Sequence, residues 1–245
     1  MSEKLVQGHT MKAFDEEMAE LNKLVLVAAA KARDQLAQAL HSLEEEDTAL
    51  ARKVVLRDKE IDAMELQADE AVFHIIARRQ PVAKDLRDIL AVSKMMMDVE
   101  RIGDEARHLA RLTLAFYEGD YSPPNYRLLS DIPKLVQFVD GMLAKAMAAF
   151  EQDDAELALE VLRLDAELDD EMKAALRRLS TYLLEDARSV GHVVETTLGL
   201  RGVERIGSHA AYIARHLIFL IKGRDVRHER LEDVERAVEG DIQAH

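Results

Sequence analysis

The sequence predicts an all-α protein of two tandem three-helix bundles related by an internal repeat. Three observations carry this. Helix formers (Ala, Leu, Glu, Arg, Met) dominate a chain of 245 residues with only 10 Gly and 4 Pro, a composition that favours long helices over a sheet. Apolar residues recur at spacings of three and four over long stretches. The second half also repeats the first. AELALEVLRLDAELD, from residue 155, aligns with TALARKVVLRDKEID, from residue 48, at an offset of 107, and VERIG at 99–103 recurs at 203–207, an offset of 104.

The elements follow in order. Phe14, Met18, Leu21, Val25, Ala28, Ala32, Ala39 and Leu43 form one stripe, which predicts a helix over 10–43 packed on other helices. The acidic run 44–47 ends it, and Asp47 is placed to cap the next helix. That second helix is expected from Thr48 to Arg79, with Leu50, Val54, Ile61, Ala68 and Val72 on one line, and Gln80-Pro81 breaks it. A third runs from Lys84 to Tyr117 on Val92, Met95, Val99, Ile102 and Ala106. Met95-Met96-Met97 reads as core filling, since Met95 and Met96 lie on or beside that stripe. Residues 118–125 hold two of the four prolines and read as the linker. A helix over 128–150 opens the second half, and a turn at 152–154 leads to the repeated segment. The three-residue change of offset falls in the turn between the second and third helices of each half. The expected units are residues 9–119 and 124–224, followed by a C-terminal tail, 225–245. Gly103 and Gly207, mid-helix in both VERIG copies, imply close helix approach, because each costs about 1 kcal/mol relative to Ala.

Charge narrows the function. With 33 Lys plus Arg against 47 Asp plus Glu, the net charge is −14. That argues against nucleic acid or an anionic membrane surface as the main partner. The absence of Cys removes disulfides and thiolate metal ligands and fits a reducing compartment. No apolar run approaches the ~20 residues a membrane span needs, and the opening MSEKLVQGHT lacks a signal peptide's apolar core. The expectation is a cytoplasmic protein without membrane insertion.

The chemistry lies in carboxylate pairs. Asp58/Asp62, Glu100/Asp104 and Asp165/Asp169 are each four residues apart on one helix face. Like charges so spaced repel by roughly 0.2–0.5 kcal/mol per pair, a small penalty that an Arg from a neighbouring helix or a cation could offset. With antiparallel second and third helices, Asp58/Asp62 face Glu100/Asp104. Such an oxygen-only set suits a hard or borderline cation: Mg, Mn, Fe or Zn, identity open. The second unit keeps Asp165, Asp169 and Glu204 but has Ser208 where the first has Asp104, so its site is expected to be weaker, differently shaped or empty. The competing reading is that these acids are a solvated surface.

These same residues carry a resemblance. RQPVAKDLRDILAVSKMMMDVERIGDEARHLAR (79–111), DKEID (58–62), VERIGSHAAYIA (203–214) and GRDVRH (223–228) resemble the signatures of the PhoU family over nearly the whole chain. The resemblance implies a cytoplasmic negative regulator of the bacterial phosphate-starvation response and modulator of phosphate uptake. Its implied partners are the phosphate ABC transporter and a sensor histidine kinase, and family members are often homodimers. Metal on the E/D-x-x-x-D motifs carries over to Asp58, Asp62, Glu100, Asp104, Asp165, Asp169 and Glu204.

The remaining motifs are weaker. Glu105-x-x-His108 spells a di-iron ligand pattern, but the second unit has His209 and Tyr212 at those places, so an oxidase is disfavoured. Arg101 and Arg205 read as carboxylate partners rather than phosphate ligands. Asp85 and Arg87 are candidate partner contacts, against a plain helix-dipole role for Asp85 and a solvated Arg87. No phosphate-cradling Gly loop, HExxH or GxSxG occurs, so no catalytic residue is assigned. The alternatives are a metal-free helical adaptor in another pathway or a carboxylate-bridged metalloenzyme.

Overall fold

A computed structural model of the chain describes residues 3–118, 122–185 and 189–240. It holds helices α1 (Glu3–Glu44), α2 (Thr48–Arg57), α3 (Lys59–Arg79), α4 (Lys84–Tyr117), α5 (Tyr126–Leu129), α6 (Ile132–Gln152), α7 (Ala155–Glu185), α8 (Val190–Lys222) and α9 (Leu231–Glu239). No strand occurs among the described residues. The linker residues 119–121 and tail residues 241–245 lie outside them, as do residues 186–188, where the change of repeat offset falls.

The first unit packs α1 against α4, with α2 and α3 across both. The second packs α6, α7 and α8. The two units show the repeat in matching details. Glu46 and Asp153 both take the left-handed conformation (φ 56° and 51°), and the next residue caps the following helix. Asp47 accepts from the Leu50 amide (2.9 Å), and Asp154 from the Glu156 and Leu157 amides (2.9 and 3.0 Å). The glycines repeat their function too. A Cβ on Gly103 would stand 2.9 Å from Ile61 Cδ1, and one on Gly207 2.2 Å from Leu168 Cδ2. Ile61 and Leu168 are repeat equivalents, so each glycine lets its third helix close on the second.

The helix expected over 48–79 is divided. Its hydrogen-bond ladder breaks at Asp58, although that residue keeps helical dihedrals (φ −52°, ψ −35°). Asp58 is buried, and its carboxylate turns inward to side chains of α1 and α4. The equivalent Asp165 lies within an unbroken α7. The first helix starts at Glu3 rather than residue 10, and a short α5 precedes α6, which has Pro133 in its first turn. Residues 225–240 are more than bare tail: α9 packs on α7, with Val226, Val234 and Val238 buried.

The two units join mainly through α4 and α8. Ala91, Asp98, Glu105 and Leu112 on α4, and their repeat equivalents Glu195, Gly202, His209 and His216 on α8, recur every seven residues and so share a helix face. The lines meet antiparallel. Glu105 lies over Gly202, where a Cβ would be 3.1 Å from Oε2, and Asp98 accepts from His209 (Nδ1 to Oδ1, 2.9 Å). Arg205 donates twice to Glu105 (2.6 and 2.7 Å), and Arg33 of α1 donates twice to Asp140 of α6 (2.7 and 2.8 Å). One apolar core runs through both units.

Candidate metal centre

Asp58, Asp62 and Asp104 converge. Each offers a carboxylate oxygen within 4.8 Å of the others, the one such trio of His, Cys, Asp or Glu among the described residues. Asp58, at the α2–α3 junction, and Asp62, one turn on, look across to α4, and Gly103 lets α4 come close enough to meet them. Glu100, one turn before Asp104, lies outside this trio. Burial, then Asp104 beside it, pushes the Glu100 carboxyl up to about 7. Burial, then Asp58 and Asp104, raises Asp62, and burial followed by Asp69 raises Glu65. Burial is the largest cause in all three, and the neighbouring carboxylates add to it.

The neutralisation comes partly from Arg107. Its Nη1 donates to Asp58 Oδ2, and its Nη2 forms an ion pair with Asp104 Oδ1 at 2.8 Å. Gln35 Nε2 donates to Asp58 Oδ1 (2.8 Å) and to the Gly103 carbonyl (3.0 Å). Arg101 stands 3.5 Å from Glu100 and 3.7 Å from Asp104 at the surface. Both ways of offsetting the acids are therefore open here: an Arg is present, and the donor set, all oxygen and crowded, also fits a hard cation.

The second unit differs. Burial, then Asp169, pushes Asp165 up to about 6, with Glu204 adding to the rise and Arg215 opposing it. Glu204 accepts from Arg201 (2.6 Å), and the Ser208 hydroxyl donates to the Glu204 carbonyl (3.3 Å). Gln35 and Arg107 have Met142 and Ala211 as their repeat equivalents, and no hydrogen-bond donor reaches Asp165 among the described residues.

The other candidates are placed as follows. Asp85 is exposed in the first turn of α4. Arg87 is folded onto the end of α8, with its guanidinium 5.9 Å from the Phe219 ring centre and against Gly223, whose φ of 71° closes that helix. Glu105 of the Glu-x-x-His pattern is engaged by Arg205 and His108 (3.3 Å). Arg205 pairs with a carboxylate, as its sequence suggests, although that partner is in the other unit.

Sequence reasoning missed Gln35, Arg107 and the Asp98–His209–His216 contact, in which His216 Nε2 lies 3.4 Å from Asp98. For the last, the signal was present: polar residues at seven-residue spacing on both third helices.

Together these features define a class: an all-helical tandem-repeat protein with an acid cluster between the second and third helices of its first unit. The PhoU domain model matches residues 25–113 and 132–217, once per unit. The chain is 39% identical over 232 residues (95% of it and 90% of the relative) to a phosphate-specific transport system accessory protein PhoU homolog of Pseudomonas putida. It is 31% identical over 232 residues to the phosphate-specific transport system accessory protein PhoU of Escherichia coli K12, covering 95% of both. The crystal structure of PhoU from Pseudomonas aeruginosa superposes with a TM-score of 0.80 at 38% identity, covering 86% of this chain and 100% of that one. The chain belongs to the PhoU family. Among the described residues no helix is long and apolar enough to cross a membrane.

Proposed function

We propose that this chain is an accessory protein of phosphate transport that holds the phosphate-starvation response off when phosphate is plentiful. The observation that carries the reading is the match over 95% of the chain to relatives named as phosphate-specific transport accessory proteins. It acts from the cytoplasm by protein–protein contact, without catalysis of its own. The partners are the phosphate ABC transporter and a sensor histidine kinase, and the chain forms a homodimer. Residues 9–119 and 124–224 are the working units, with 225–245 a C-terminal extension. Asp85 is the exposed partner contact, and Arg87 braces the α8 end beside it.

Asp58, Asp62, Glu100 and Asp104 would hold a divalent or iron-type cation, which would supply the positive charge that this crowded set lacks. The lesser set, Asp165, Asp169 and Glu204, would bind more weakly. The Arg107 clasp favours a second reading, in which the first unit is stable with no metal. Elemental analysis of purified protein separates the two: stoichiometric metal supports the site, and none in metal-replete buffer removes it. The partner claim is tested by crosslinking in phosphate-rich cells. Recovery of the transporter's ATP-hydrolysing subunit or the kinase on the tagged chain supports it. Recovery of neither contradicts it.

A further inference from the structure

Both oxygens of Asp58 are occupied within the protein. Gln35 holds Oδ1 and Arg107 holds Oδ2. Gln35 is buried and also bonded to the Gly103 carbonyl, so it is fixed from two sides. Arg107 is the exchangeable partner. It leaves α4 one turn after Asp104, reaches the edge of the bundle with 22% of its side chain exposed, and straddles Asp58 and Asp104. Those are two of the three carboxylates of the convergent trio. Its buried Nε meets no acceptor among the described residues, so the clasp satisfies only part of the guanidinium.

The second unit is an internal comparison. Relative to the first, Asp104 becomes Ser208 and Arg107 becomes Ala211. The acid and the base disappear together, as expected if the guanidinium's place is to balance the extra carboxylate.

We propose that Arg107 is an internal counter-cation that competes with metal for the first unit's carboxylates, so that a cation binds there only when the Arg107 clasp on Asp58 and Asp104 opens. The inference rests on the metal reading above and adds the residue that regulates it. Arg107 keeps the first unit folded when metal is scarce and sets the concentration at which metal displaces it. A guanidinium matches two carboxylates at once, whereas an ammonium is a single compact charge, so Lys is a weaker competitor at this position.

The test is calorimetric titration of Mn²⁺ into metal-free, full-length wild type, Arg107→Gln and Arg107→Lys, with thermal unfolding of each with and without Mn²⁺. The first-unit site is assigned by the binding lost on Asp62→Asn. The expected result is Mn²⁺ binding about tenfold or more tighter in Arg107→Gln than in wild type, a loss of about one favourable charge pair's worth of competition, with Arg107→Lys in between. Metal-free Arg107→Gln should melt lower than wild type and gain more from Mn²⁺. Equal or weaker Mn²⁺ binding by a cooperatively folded Arg107→Gln overturns the inference while leaving the metal site standing. Should that variant not fold, Arg107→Lys decides: tighter binding than wild type supports competition, and equal or weaker binding refutes it. If no protein in the set binds Mn²⁺, the metal reading fails and the inference with it.

Discussion

Glu100 is the residue whose environment speaks most directly about charge. In the folded chain its carboxyl keeps a proton up to about 7, against an ordinary value of 4.5. Between those values the folded state binds more protons than the unfolded chain, so stability falls as pH rises. Asp165 acts in the same sense between 3.8 and about 6. Metal-free protein is therefore expected to melt higher near pH 5.5 than near pH 8, with Glu100→Gln losing most of that slope. A melting temperature that climbs over that range in wild type and variant alike would contradict this. The glycines give a second prediction at this scale. In Gly207→Ala the new Cβ meets Leu168 at 2.2 Å and Val139 at 3.2 Å in packed core. Overpacking costs about 1–3 kcal/mol, partly offset by the ~1 kcal/mol helix gain of Ala over Gly. Urea unfolding should show Gly207→Ala destabilised by about 1 kcal/mol, and Gly103→Ala, with its looser contact, nearer to neutral. The acid pairs and both glycines were legible because spacing and repetition mark them. Arg107 was not, because in sequence it is one arginine among many, and only the approach of α3 to α4 shows that it spans two carboxylates.

At the scale of elements, the third helix of each unit has two working faces. One packs within its unit. The other, written every seven residues, packs on its repeat equivalent. The sequence pattern shows the first face plainly because it is apolar. The second carries Asp98, Glu105, His209 and His216, so it reads as solvated surface until the units are brought together. This is why the Arg205–Glu105 pair was not foreseen, although Arg205 was read as a carboxylate partner. The pair is lopsided in burial: the Glu105 side chain is 11% exposed and that of Arg205 52%. Arg205→Ala strands a mostly buried carboxylate with only His108 nearby and should cost about 1–3 kcal/mol. Glu105→Gln leaves an arginine that water can satisfy and should cost less. Chemical unfolding of the two variants checks the order, and the reverse order would mean that the pair does not organise the interface. The break at Asp58 was also hidden. Its φ and ψ stay helical, so periodicity runs through it unchanged.

At the scale of the whole molecule, an acidic, all-helical pair of repeats is joined along α4 and α8. The repeat made the architecture readable, and its departures from symmetry set the two acid clusters apart: Asp104 against Ser208, Arg107 against Ala211, Gln35 against Met142. The central claim is that this chain keeps the phosphate-starvation response silent. It is tested most directly by a starvation-gene reporter in phosphate-rich medium, in cells lacking this gene and complemented with the wild-type chain. The account predicts that the reporter turns on in the deletion and is silenced again by the wild-type chain. A reporter that stays off in the deletion, or that stays on despite expressed wild-type protein, would contradict it.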